Sequence, residues 1–196
     1  MFMRYGIRSI TMDDIAREIG VSKKTLYHDF EDKHDLINQV IDYDMLQSRK
    51  FMEEFHRMDL GAIEEIFLVN DRIHQNRARY NPTFYYDLKR SYPDTYQRWL
   101  DEKRQNMIGL ITGNLQKGKR EGIYRKEIHE PTIGKLYLAR MEMLDSNEFI
   151  DGHQFLSTEF MQEIFTYHLH GICNENGLKI LYEFKNMSEN TKVKEI

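Results

Sequence analysis

One corner, held in residues 11 to 30, TMDDIAREIGVSKKTLYHDF, constrains this chain more than any other stretch: two helix-length segments meet at a glycine. The Thr11 hydroxyl can cap the first segment, with Asp14 three positions on in a weakened capping-box arrangement. Ile15 and Ile19, one turn apart, are expected on its buried stripe, and Ala16 lets two backbones cross closely. Gly20 tolerates the left-handed conformation that ends a helix, Val21 plugs the corner, and Ser22 offers a fresh N-cap. In the second segment Leu26 and Phe30, four apart, bury one face. Lys23, Lys24, Thr25, Tyr27 and His28 stay outside, with Lys24, Thr25 and His28 placed for a DNA groove and Tyr27 for the phosphate backbone. Asp32 then caps a long helix whose first turn carries Lys33, where free backbone N–H groups and a lysine together favour a phosphate. The competing reading is an ordinary helical hairpin whose lysines form a solvated face.

The run FMRYGIRSITMDDIAREIGVSKKTLYHDFEDKHDLI resembles the signature of the TetR family of transcriptional regulators, from the end of its first helix to the start of its fourth. The resemblance covers roughly the first 40 residues; beyond them it rests on length and helix pattern. It implies an all-α protein with a helix-turn-helix DNA-binding head over residues 1–34 and a helical ligand-binding and dimerisation body over 35–196. It also implies DNA contacts at Thr11, Lys24, Thr25, Tyr27, His28 and Lys33, to which Lys23 is added from the same helix. Members of the family normally carry about ten more residues before the segment matching MFMRYG. The first helix is therefore expected to be largely missing, leaving Ile15, Leu26 and Phe30 in water at a cost of roughly 1.5 to 3 kcal/mol each.

Charge does not announce a nucleic-acid binder. The 196 residues carry a net charge of -4, and through residue 34 six basic residues face six acidic ones. Binding then rests on a few oriented contacts; about four phosphates neutralised by each half of a dimer give a log–log salt slope of roughly -7. No apolar run is long enough to span a bilayer and no signal pattern opens the chain, so a cytoplasmic protein is expected. Cys173, the sole cysteine, reads as core. His168 and His170, two apart on a helix, point to different sides, so no metal site is expected, and no catalytic constellation, phosphate loop or cofactor motif stands out.

Pro82, Pro93 and Pro131 each sit where a helix can begin, punctuating an all-helical chain. Long helices are predicted from about Asp32 to Met58, Ala62 to Arg79, Pro93 to Gly118, Pro131 to Leu144 and Leu156 to Glu175, with KILYEF ambiguous between helix and strand. The middle of the chain is aromatic. Phe55, Phe67, Phe84, Tyr85 and Trp99 are the candidates for the wall of a pocket taking an apolar or aromatic small-molecule effector, against the plainer alternative of core packing. The last two predicted helices are the expected homodimer surface, through Leu136, Met141, Phe160, Ile164, His168 and Gly171. The function that follows is a ligand-responsive homodimeric regulator, most simply a repressor, on a near-palindromic double-stranded operator. The rival is a helical dimer of the same fold that binds a ligand or protein without touching DNA.

Overall fold

The structure, a computed structural model, describes residues 1–79, 81–146 and 158–192. It is all-α: α1 Phe2–Tyr5, α2 Met12–Glu18, α3 Lys23–Asp29, α4 Lys33–Arg57, α5 Ala62–Arg79, α6 Pro82–Ser91, α7 Pro93–Arg120, α8 Glu130–Ser146, α9 Thr158–Ile172 and α10 Glu175–Lys192. Pro82 and Pro93 open α6 and α7, where a missing N–H costs nothing. KILYEF lies inside α10. Among the described residues, β pairing is limited to an isolated antiparallel bridge between Tyr124 and Cys173.

The chain forms two compact units, and the first runs well past the boundary expected at residue 34. It comprises residues 1–59 and 71–106, so α1 to α4 share it with α6 and parts of α5 and α7. One apolar core joins Phe2, Ile7, Ile10, Met12, Ile15, Ala16 and Leu26 of the head to Leu36, Ile37, Ile41, Phe84, Leu88 and Trp99. Ile15 and Leu26 are therefore buried and Phe30 packs against the same core, contrary to the exposure expected of a short first helix. The one-turn α1 and the segment after it supply Phe2, Ile7 and Ile10 as cover. Ile19 is the reverse correction: it is 58% exposed, because α2 stops at Glu18 and the buried stripe is Met12, Ile15 and Ala16.

The second unit comprises residues 60–70 and the chain from Met107 onward. Close packing defines it. Gly118 leaves room for the Tyr124 ring, which a Cβ there would overlap, and the Tyr124 hydroxyl donates to Asn114 Oδ1 at 3.0 Å. Lys117 donates to Glu65 Oε1 at 2.7 Å and to the Leu60 carbonyl, while Asn114 Nδ2 donates to Ala62 O at 2.7 Å. Burial pushes the Cys173 thiol up to about 11, leaving it an inert core group.

Candidate nucleic-acid interface

The reading corner is built from local hydrogen bonds. Thr11 closes a complete capping box: its hydroxyl oxygen accepts from Asp14 N at 3.1 Å, and Asp14 Oδ2 accepts from Thr11 N at 2.9 Å and from the Thr11 hydroxyl at 2.6 Å. The Thr11 hydroxyl, then its backbone N–H, hold the Asp14 carboxyl below its usual range. Gly20 takes φ +73°, the left-handed turn that reverses the chain between α2 and α3. Ser22 Oγ accepts from Thr25 N at 3.0 Å, and the two hydroxyls lie 2.8 Å apart. With Leu26 buried underneath, Lys23, Lys24, Thr25, Tyr27 and His28 all face outward on α3.

Their electrostatics are unequal. Lys23 pairs with Asp13 at 2.7 Å, a carboxylate that raises its pKa, and its ammonium sits 5.9 Å from the Tyr27 ring centre. His28 Nδ1 lies 2.9 Å from Asp29 Oδ1. Lys24 forms no ion pair among the described residues and stands as the unneutralised cation of the reading helix. A short helix held at a glycine corner, with a free lysine, two hydroxyls and an imidazole on its outer face, matches the chemistry of major-groove edges and phosphates.

Comparison with known proteins gives the same answer. Residues 1–40 match the family model described as bacterial regulatory proteins, tetR family. An HTH-type transcriptional regulator of Staphylococcus aureus (strain USA300) is 28% identical over 123 residues, a match spanning 50% of this chain and 66% of that protein's length. The HTH-type transcriptional regulator YvaF of Bacillus subtilis (strain 168) is 22% identical over 167 residues, 84% of this chain and 86% of that one. The reduced form of Escherichia coli NemR superposes with a TM-score of 0.67 at 11% identity, over 88% of this chain and 91% of NemR. Residues 1–40 thus carry a head of the TetR type.

Within this TetR-type head, Lys33 behaves differently from the other candidate contacts. Its ammonium turns inward, donating to Ile7 O at 2.7 Å and lying 5.8 Å from the Phe2 ring centre. Burial lowers its pKa, against an opposing pull from Asp87 and Asp14. The residue fixes the segment before α2 rather than standing free for a phosphate.

One residue of α6 and the one that caps it, neither singled out by periodicity, complete this seat. Asp87, 3% exposed, accepts from the backbone N–H groups of Ile7 and Arg8 at 2.9 Å each. Asn81, the N-cap of α6, donates from its backbone N to Met3 O at 2.7 Å and from Nδ2 to Arg4 O at 3.2 Å, taking up carbonyls at the end of α1. Gly6 fits between them at φ +83°, where a Cβ would lie 3.0 Å from Thr83 Cγ2 and 3.2 Å from Asp87 Oδ2. The available signal was a carboxylate at 87 set among Phe84 and Leu88, the apolar positions of the same helix.

The five aromatic pocket candidates are not brought together. Phe84 and Trp99 are filled core, with Tyr85 against the Trp99 ring at 5.5 Å, and Phe55 is buried elsewhere in the same unit. Phe67 belongs to the second unit, packed on Phe165 and Phe184 at ring distances of 5.1 and 4.8 Å. None of the five lines the cleft of about 440 Å³ in the first unit, whose walls include His34, Asn38, Tyr92 and Arg98. Of the dimer-surface candidates, Leu136 is 64% exposed, Gly171 is open, and Phe160 and Ile164 are half-buried. Tyr167, not anticipated, is 81% exposed beside them on α9. His168 instead packs against Tyr137 of the same chain, and the side chain of Met141 lies outside the described residues.

Proposed function

We propose that the protein is a homodimeric, ligand-responsive transcriptional repressor that inserts α3 of each protomer into the major groove of a near-palindromic operator. The outward row of Lys24, Thr25, Tyr27 and His28 above a buried Leu26 carries this reading. Thr11 and Lys23 flank that row. One seven-residue helix reads too few base pairs to be selective, so two heads on half-sites about 34 Å apart are needed, with the exposed α8–α9 residues Leu136, Tyr167 and Gly171 as the meeting surface. The seat of Asp87 and Asn81 under α1 favours α6 as the element that carries a ligand's effect to the head. A ligand that favours a displaced head by about 3 kcal/mol weakens operator binding more than a hundredfold.

A gel-shift titration of the protein on its own promoter region at low salt, without ligand, tests the reading. Lys24→Ala with Tyr27→Ala is expected to weaken binding at least tenfold with circular dichroism unchanged, and Lys24→Ala alone to reduce the salt slope by about one per head. Indifference to both substitutions favours the second reading, a helical dimer that does not touch DNA. The balanced charge of the head and the Asp13 and Asp29 partners of Lys23 and His28 support that alternative.

A further inference from the structure

Three side-chain atoms among the described residues are sealed from solvent without a hydrogen-bond partner: Thr112 Oγ1, Arg140 Nε and His168 Nε2. All three belong to the second unit, one each on α7, α8 and α9. Thr112 Oγ1 lies 3.0 Å from where a Cβ on Gly134 would stand, one turn before Tyr137 on α8. The other two atoms share one spot. The Arg140 guanidinium carbon sits 4.3 Å from the Tyr137 ring centre, and the His168 ring meets the same tyrosine edge-on at 5.1 Å. Arg140 Nη1 reaches Ile164 O only at 3.4 Å.

No Asp or Glu among the described residues pairs with Arg140. Burial lowers its pKa and is opposed only by Tyr137, and burial together with the nearby Arg140 pushes His168 down to about 4. A part-buried guanidinium with a sealed Nε, beside a neutral imidazole and a phenol and with no counter-charge among the described residues, is unfavourable in isolation. Its open Nε belongs to the edge of the fork that grips a carboxylate through two parallel bonds. A neutral His168 adds a donor or acceptor but no charge, so the site balances a single negative charge. A monocarboxylate fits it better than a phosphate dianion. The surroundings are apolar, since α9 buries Met161, Phe165 and Ile172 at helical spacing from His168.

We propose that Arg140, with His168 and Tyr137 beside it, receives the carboxylate of a small organic acid whose remainder is apolar. This names the chemical class of the effector and rests, for its regulatory meaning, on the reading of the protein as a ligand-responsive regulator. The site itself is tested without DNA. The full chain is titrated calorimetrically with sodium octanoate and sodium benzoate, and with 1-octanol, benzyl alcohol and inorganic phosphate as comparisons.

The expected result is that at least one acid binds the wild type at least tenfold more tightly than its matching alcohol or phosphate. Arg140→Met then loses the acid at least tenfold, while melting no lower than the wild type and sedimenting identically, because an unpaired buried charge has been replaced by an apolar chain of similar length. Arg140→Lys, which keeps the charge but not the fork, falls between. Absence of binding by both acids, equal binding of alcohol and acid, or undiminished binding to Arg140→Met overturns the proposal. So does an Arg140→Met protein that unfolds or dissociates, since its counter-charge then comes from its own chain or a second copy. Acid binding by a protein that fails to bind its promoter supports the site and overturns the regulator reading instead.

Discussion

The seat beneath the reading head and the α7–α9 cluster of the second unit both bury ionisable side chains, but only the first gives each of them a partner. Asp87 takes two backbone N–H groups, Lys33 takes the Ile7 carbonyl, and Asn81 meets the end of α1 with both its backbone and its side chain. Around Tyr137, by contrast, Arg140 Nε and His168 Nε2 are enclosed without partners. A satisfied buried network rigidifies, and an unsatisfied one is stable only where something else completes it. The difference separates a seat that holds one geometry from the cluster proposed above to receive a carboxylate. The second unit can also satisfy its polar groups: Glu65, Lys117, Asn114 and Tyr124 partner one another there. Among the described residues the deficit is confined to the α7–α9 cluster.

Breaking the seat carries the largest expected effect. Asp87→Ala leaves two amides beneath α1 without their charged acceptor and removes the carboxylate that faces Lys33. The expected loss is about 4 kcal/mol, from two hydrogen bonds to a charged group, read as a lower urea midpoint at unchanged slope. Asp87→Asn keeps one acceptor and is expected to lose about half as much. A loss below about 1 kcal/mol for Asp87→Ala breaks the comparison, since the amides would then be finding other acceptors.

Acid is the next lever, and it acts on the deficient region. His168 is pushed down to about 4 from its ordinary 6.5, with Arg140 and Tyr137 as the groups facing it. The folded state therefore binds fewer protons than the unfolded chain between those values. Its contribution is full above about pH 6.5 and is lost as pH falls toward 4, by about 3 kcal/mol. His168→Gln removes the titration, so the stability difference between the two proteins should narrow by about that amount over this interval. Parallel curves for wild type and variant show instead that His168 is free to protonate. A bound monocarboxylate should raise the His168 pKa and flatten the wild-type curve.

What could be read in advance follows the range of the interactions. The caps at Thr11, Ser22 and Asp32 and the Gly20 turn were legible because each bond spans three or four residues and the residue types are those that turn chemistry demands. The outward face of α3 followed from Leu26 and Phe30, four positions apart. Ile19 was misplaced by a stripe extrapolated one turn beyond a seven-residue helix. The bond from Asp87 to Ile7 joins positions 80 apart, and no periodicity encodes it. Nor does spacing distinguish an aromatic that fills a core from one that lines a cavity, which is why Phe84 and Trp99 pass for pocket walls in the sequence and only their neighbours decide. The Arg140–His168 pair was hidden for the same reason: 28 positions separate the two residues, and only the packing of α8 on α9 joins them.

The smallest expected effect tests whether burial, rather than the mere presence of a bond, sets the cost of breaking one in the head. Ser22→Ala removes the acceptor of the Thr25 N–H, as Asp87→Ala removes the acceptor of Ile7 and Arg8, but residues 22 to 25 are exposed and water can take the acceptor's place. The cost should therefore be about 1 kcal/mol, typical of a lost N-cap. Per amide left behind, that is about half the Asp87→Ala loss. Equal losses per amide would mean that the seat under α1 is as wet as the tip of α3, and the contrast between a rigid seat and an open site would have to rest on Arg140 and His168 alone. Near-zero loss for Ser22→Ala would show that the Gly20 turn and Leu26 burial hold α3 without its cap.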